Sequence, residues 1–211
     1  MRKIQAGLIA GFLISLLSVN DLAAQAGLKG GVNFSTLSQK GAGLLSLSWG
    51  SYTGFTIGGF YTIGINNYLA FQPELYYSRK GGKLEGSLGG FLGSKSIDID
   101  YLEIPLLMKL RFPTQSKISP SVFIGPYGAY KLSSGGTISI LGYELEEGLI
   151  GITDSDFGLV FGGAIDYQVS NVTVILDIRY DLGLVNVGEP ILGVENEIKT
   201  RSLIVMLGFG L

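Results

Sequence analysis

The chain has no cysteine and no histidine, and only 15% of its 211 residues are charged. Without cysteine there can be no disulfide framework. Histidine is the side chain that most often serves as general base and metal ligand, so its absence argues against enzyme, cofactor and metal sites. The near balance of 15 basic and 17 acidic residues gives no support to nucleic-acid binding, which needs a basic face.

The N-terminal segment places Arg2 and Lys3 before an apolar run from Leu8 to Val19, followed by the small-residue stretch Leu22 to Ala26. This order is typical of a cleavable secretory signal, and the apolar run is too short to span a bilayer as a helix. We predict a signal peptide over residues 1–26, with cleavage after Ala26 or after Ala24, and a single domain over residues 27–211. No later segment has 18 consecutive apolar residues, which excludes a helical membrane protein.

The remaining chain contains eight segments in which apolar residues recur at every second position. A period of two fits no helix face, but it fits a strand with one face toward lipid and the other toward a polar barrel interior. Within the third segment Pro73 cannot donate to the ladder and predicts a bulge or a missing bond. The eight segments are Leu28 to Phe34, Tyr52 to Ile65, Tyr68 to Lys80, Leu102 to Phe112, Ser119 to Leu132, Asp156 to Tyr167, Val172 to Leu182 and Leu203 to Leu211.

The connections between these segments alternate between short and long. The short ones are Asn66-Asn67, expected to be a two-residue hairpin turn with positive φ, Pro113 to Ile118, and Val169 to Asn171. Short periplasmic turns and long extracellular loops are typical of bacterial outer-membrane barrels. The sequence therefore predicts an all-β fold, an eight-stranded antiparallel up-and-down transmembrane barrel, exported through the Sec pathway to the outer membrane.

Most of the charged residues in the segments fall on the face opposite the apolar one. An eight-stranded barrel is filled by its own side chains, so we expect no open pore. Within this set we predict an ion-pair network of Glu74, Glu103, Lys109, Arg111, Asp177 and Arg179. Glu74 and Glu103 share a face and suit acid/base chemistry, but pairing with basic neighbours is the favoured interpretation. The inward charges are Lys29, Glu74, Glu103, Lys109, Arg111, Lys131, Asp156, Asp166, Asp177, Arg179 and Asp181.

Six segments, in the same order along the chain, carry a family resemblance: Gly27 to Ser35, Phe71 to Gly82, Tyr101 to Phe112, Gly125 to Tyr130, Asp156 to Tyr167 and Ile178 to Val187. Together they resemble the PorT-like outer-membrane β-barrel family of the Bacteroidetes. The resemblance implies a barrel of the small OmpA and OmpX type. The family namesake is associated with type IX secretion, but barrel motifs report the fold rather than the function.

We therefore expect a structural or interaction protein that acts through its surface loops and is not an enzyme. The expected partners are outer-membrane lipid, lipopolysaccharide, the barrel-assembly machinery during biogenesis and a protein at the loops. The rivals are a secretion-accessory component and, ranked below it, an enzyme that modifies outer-membrane lipid. Apolar runs at Leu44 to Trp49, Gly90 to Leu92 and Ile138 to Tyr143 indicate either partner-binding patches or continued strands. The third long loop is acidic and suits either calcium or bridging cations at the lipopolysaccharide surface or a solvated loop, and the solvated loop is the favoured interpretation. Its acidic residues are Glu144, Glu146, Glu147, Asp154 and Asp156.

Overall fold

The computed structural model describes residues 24–40, 50–88, 91–140, 143–147, 153–188 and 197–211. Within these ranges no helix is long and apolar enough to cross a membrane. The regular structure described is entirely strand. The strands are β1 (Ala24–Lys40), β2 (Tyr52–Gly64), β3 (Leu69–Leu88), β4 (Phe91–Arg111), β5 (Ile118–Ile140), β6 (Tyr143–Glu147), β7 (Ser155–Val169), β8 (Val172–Gly183) and β9 (Glu197–Gly210).

Eight of the strands close into a barrel in which every neighbouring pair is antiparallel. The order runs β1-β2-β3-β4-β5-β7-β8-β9, and β9 returns to β1, with Gly27 opposite Gly210 and Lys40 opposite Glu197. The short β6 pairs with the far end of β5, outside this cycle. The predicted eight-stranded antiparallel barrel is confirmed.

The two faces of the wall differ as the alternation predicts. Ile104, Ile124 and Leu207 point outward and are each at least half exposed, whereas Glu103, Phe123 and Met206, their chain neighbours, are almost completely buried. An outward Arg or Lys at mid-depth in a bilayer costs roughly 2–4 kcal/mol, which explains why charge at membrane depth is confined to the inward parity. The apolar surface therefore forms a continuous lipid-facing band.

Three of the strands extend far beyond the predicted segments. β3 continues past Lys80, β4 begins before Leu102 and β5 continues past Leu132. The β3–β4 ladder is paired as far as Leu88 opposite Phe91. Here the apolar runs near Phe91 and Ile138 are continued strand, and the run Leu44 to Trp49 lies outside the described residues. In this part of β4 the alternation is reversed, because Ile97 and Ile99 are buried inward while Asp98 and Asp100 lie on the outer face. The outward apolar pattern that marked the predicted segments therefore stops before the strand does.

The short connections differ in detail from the predicted turns. The β2–β3 connection is four residues, 65–68, and Asn66 Oδ1 accepts hydrogen bonds from the amides of Tyr68 and Leu69 at 2.8 Å each. Across the described residues the one non-glycine with positive φ is Ser170, at 56°, in the β7–β8 turn. The prediction of a two-residue turn with positive φ at Asn66-Asn67 is therefore wrong, because the side-chain amide of Asn66 closes the turn instead.

Pro73 interrupts the ladder without bending it. It lies opposite Leu106, and the register is the same on either side, with Gln72 opposite Leu107 and Tyr76 opposite Glu103. Of the two predicted effects of Pro73, a bulge is therefore excluded between β3 and β4, and a missing ladder hydrogen bond remains. A register shift does occur between β4 and β5, beside Asp100 and Tyr101.

β1 begins at Ala24, three residues before the predicted start of the domain, and these residues are bonded. Gln25 Nε2 donates to Thr173 Oγ1 at 2.7 Å, and the amide of Leu211 donates to the carbonyl of Ala26 at 2.9 Å. We therefore predict that the mature protein starts at Gln25, because cleavage after Ala26 would delete both contacts. Intact-mass measurement of the protein purified from outer membranes tests this, and a mass that begins at Gly27 would contradict it.

Candidate functional site: the barrel interior

Four charged side chains meet across the middle of the barrel and form what we name the central cluster: Lys29 of β1, Glu74 of β3, and Asp177 and Arg179 of β8. Lys29 Nζ lies 2.7 Å from Asp177 Oδ2 and 3.1 Å from Glu74 Oε1. Arg179 donates through Nε to Asp177 Oδ1 at 2.9 Å and through Nη2 to Glu74 Oε1 at 3.1 Å. Two positive and two negative groups are thus balanced, and their side chains are at most 2% exposed.

Glycines on neighbouring strands make room for these long side chains. A Cβ at Gly208 would lie 2.6 Å from Lys29 Cγ, and one at Gly162 would lie 2.9 Å from Arg179 Cβ. Aromatic rings then fill the space around the cations, with the Arg179 guanidinium 5.0 Å from the centroid of Phe123 and Lys29 Nζ 4.8 Å from that of Phe60. Inward glycine beside inward charge is what lets the cluster span the interior.

A second group, the upper cluster, lies nearer the extracellular end and consists of Lys80, Glu103, Asp156 and Asp181. Lys80 Nζ pairs with Glu103 and lies 3.0 Å from Asp181 Oδ2. It also sits 5.0 Å from the ring centroid of Tyr127, whose hydroxyl donates to Asp156 Oδ2 at 3.1 Å. Asp156 is fully buried, as its inward parity predicts, so its assignment to a solvated loop is wrong: it is the second residue of β7 and already points into the barrel.

The remaining predicted charges lie apart from these clusters. Lys109 Nζ pairs with Asp166 Oδ2 at 2.9 Å. Arg111 is at the periplasmic end, where Nη2 donates to the carbonyl of Asn66 at 2.6 Å. Of the six residues predicted as one network, the structure brings Glu74, Asp177 and Arg179 together and distributes Glu103, Lys109 and Arg111 among other partners.

Lys80, the cation of the upper cluster, is absent from the predicted set. It stands at the end of the third predicted segment, where the strand was expected to stop. Its position has the same parity as Gln72, Glu74 and Ser78, which are all buried. Continuing the alternation by one step would have placed it inside.

The arrangement leaves little opportunity for chemistry. Glu74 and Glu103 belong to different clusters and are each 3% exposed, so neither carboxylate is open to a substrate. Within the ranges described, no group of three acidic side chains is placed to hold a metal ion. Paired charges and aromatic rings fill the interior and obstruct the lumen of the barrel.

The closed barrel, its lipid-facing band and its filled interior define the small outer-membrane barrel class. The sequence matches the family described as outer membrane protein beta-barrel domain over residues 17–189. The chain belongs to this family, and it is an outer-membrane protein. A comparison with curated protein sequences found no match.

Solved structures to which the chain is similar come from several bacteria. OprG from Pseudomonas aeruginosa is 17% identical with a TM-score of 0.53, and the match covers 90% of this chain and 95% of OprG. Neisserial surface protein A is 17% identical with a TM-score of 0.45, covering 87% of this chain and 95% of that one. Ail from Yersinia pestis, solved with the heparin analogue sucrose octasulfate, is 13% identical with a TM-score of 0.41, covering 89% and 99%. The OprG likeness supports the fold alone.

Arg179 is predicted to contribute far more to stability than an arginine on the outside of the same barrel. Removing one partner of a buried ion pair costs about 3–5 kcal/mol, because the opposite charge stays buried and unpaired. The matched control is Arg79, whose Nε lies 2.7 Å from Asp100 Oδ1 on the partly exposed outer surface, where a pair contributes about 0–1 kcal/mol. We expect Arg179→Gln to lower the free energy of unfolding by the larger amount and Arg79→Gln by the smaller.

The measurement is the folded fraction against urea concentration in lipid vesicles, read as the fast-migrating band of unboiled protein on a gel. Equal midpoints for the two variants would contradict the structural role assigned to the central cluster.

Proposed function

We propose that the protein is a non-conducting outer-membrane barrel that acts through the surface it presents above the membrane. The absence of conduction is supported by the obstruction of the interior. The side chains that obstruct it are almost fully buried and include Arg179, Glu74, Tyr76 and Phe123. Ions crossing the barrel would have to break a balanced cluster of four charges. A protein that acts through its surface does not need a channel through its interior.

The extended strands support the proposal that the protein acts through its surface above the membrane. β3, β4 and β5 continue past the last outward apolar residues, near Tyr77, Leu102 and Leu132, and β6 adds a fourth strand to their sheet. The 11 residues of β3 beyond Tyr77, residues 78–88, correspond to about 36 Å of strand, at about 3.3 Å per residue. A sheet of this length offers an exposed surface for a partner outside the cell. We name it the projecting sheet.

Two rivals are distinguished by where they act. A secretion-accessory component, as the PorT-like resemblance implies, needs a partner on the periplasmic side or in the inner membrane. A lipid-modifying enzyme needs a reactive group open to lipid, whereas the carboxylates described in the barrel are engaged in its interior. We infer that the protein is not an enzyme.

A barrel with an obstructed interior should not conduct ions. In planar lipid bilayers the wild-type barrel is expected to give no current steps, because the central cluster blocks the interior. Truncating one pair with Glu74→Ala and Arg179→Ala together keeps the charge balanced through Lys29 and Asp177 and is expected to produce small steps. Steps in the wild type as large as those of the double variant would contradict a closed barrel.

A variant with a shortened projecting sheet tests the proposed role at the surface. Lys83 and Ser96 are opposite each other in the β3–β4 ladder, so residues 84–95 can be replaced by an Asn-Gly turn that closes a shorter hairpin. We expect this variant to fold into the same barrel, because the removed residues lie beyond the lipid-facing band. It is expected to lose partners that wild type crosslinks at the cell surface.

Chemical crosslinking in intact cells, followed by identification of the linked proteins, measures this loss. The unboiled gel band is the control for folding. If the shortened variant keeps all crosslinks of wild type, and these are to periplasmic proteins, the secretion-accessory rival replaces the surface role.

A further inference from the structure

Arg201 of β9 lies on the outer, lipid-facing side of the barrel wall. Its chain neighbours Thr200 and Ser202 are buried inward, whereas Arg201 itself is exposed. The strand register places Leu182 of β8 on one side of it and Thr36 of β1 on the other. The guanidinium therefore projects from the outside of the barrel, between two strands that also present side chains outward.

The depth of Arg201 in the membrane follows from its distance to the periplasmic end of β9. Leu211 is exposed on the same outward parity, ten positions further along the chain. Ten positions span about 33 Å of strand at about 3.3 Å each. With a strand tilt of about 40° this is about 25 Å along the membrane normal, which is also the height of the apolar band in such barrels. Arg201 thus lies at the extracellular edge of the band, at the level of the lipid headgroups.

The guanidinium of Arg201 differs in its partners from that of Arg79, which the described strands also point outward. Arg79 is paired within the protein, because its Nε and Nη2 donate to Asp100 at 2.7 Å and 3.0 Å. Arg201 has no carboxylate partner within the described ranges, and a leucine and a threonine stand beside it. Lys199, two positions away on β9, carries another positive charge on the same face. Arg201 is therefore available to an anion from outside the protein.

We propose that Arg201 binds a phosphate group of lipopolysaccharide, the phosphorylated glycolipid of the outer leaflet, with an acyl chain of that lipid against Leu203. The planar guanidinium of arginine matches a phosphate bidentately. Toward the membrane centre, Phe34 of β1 and Tyr180 of β8 flank Leu203 and form an apolar surface that suits the acyl chain. A phosphate at the edge of the band and an acyl chain below it are the order in which the lipid presents these groups.

A second copy of the chain is the poorer occupant of this surface. A two-fold contact centred here would bring Arg201 and Lys199 of one copy against the same residues of the other, and like charges at an interface are unfavourable. The inference does not rest on the proposed function. It concerns the lipid-facing wall of β8, β9 and β1 rather than the projecting sheet, so either can fail without the other.

Native mass spectrometry of the detergent-purified protein tests the contact with two probes that differ only in phosphate: lipid A, the membrane anchor of lipopolysaccharide, and dephosphorylated lipid A. Wild type is expected to bind lipid A about tenfold more tightly, which corresponds to about 1.4 kcal/mol. Arg201→Gln is expected to remove this difference and to leave binding of the dephosphorylated lipid unchanged. Arg79→Gln is the matched control, because it removes the same charge from the outer surface, and it is expected to bind both lipids as wild type does.

A third arm distinguishes the lipid from free phosphate as the source of the anion. Inorganic phosphate at the concentration of the lipid is expected to leave the lipid A complex intact. The unboiled gel band verifies folding of each variant. The proposal is overturned by a wild type that retains no lipid A or binds the two lipids equally, by equal losses in the two glutamine variants, or by displacement of lipid A by inorganic phosphate.

Discussion

Every backbone amide and carbonyl within the hydrocarbon layer must find a partner in the protein, because lipid offers none. A sheet can meet this demand only by closing, and the ladder between β1 and β9 is the pair that closes it. Closure fixes which residues face inward, since a register slip of one residue would turn charged side chains toward lipid. The lipid-facing band, the filled interior and the position of the turns all follow from that one ladder.

Closure also creates the interior that the charges must fill. The lumen of an eight-stranded barrel is narrow enough for side chains from opposite walls to meet, as Glu74 of β3 and Arg179 of β8 do. Charges enclosed in this way are tolerated only when they are paired and hydrogen-bonded. The central cluster satisfies this with two cations and two anions, and Gln72 adds a further bond to Glu74 at 2.7 Å. The plug is therefore a consequence of closing a small barrel around polar residues.

The two ends of the barrel differ in how they meet their surroundings. At the periplasmic end the turns are short and the chain is held by local bonds, such as those of Asn66 and Ser170. At the other end β3, β4 and β5 continue into water as a sheet, where pairing rather than lipid stabilises the strands. The projecting sheet extends beyond the lipid-facing band on this side alone among the described residues, which supports the proposal that the protein acts there.

The sequence by itself determined the class, the number of barrel strands and the inward parity of nearly every charge, because alternation at period two is a local property that the bilayer enforces. It did not determine the ends of β3, β4 and β5, since the outward face is no longer apolar above the lipid-facing band, as Asp98 and Asp100 of β4 show. Nor did it determine which inward charges pair. Glu103 pairs with Lys80 on the neighbouring strand β3, and Lys109 pairs with Asp166 on β7, because strand register decides which inward side chains lie close together. Only the closed tertiary structure brings residues from β1, β3 and β8 to one point.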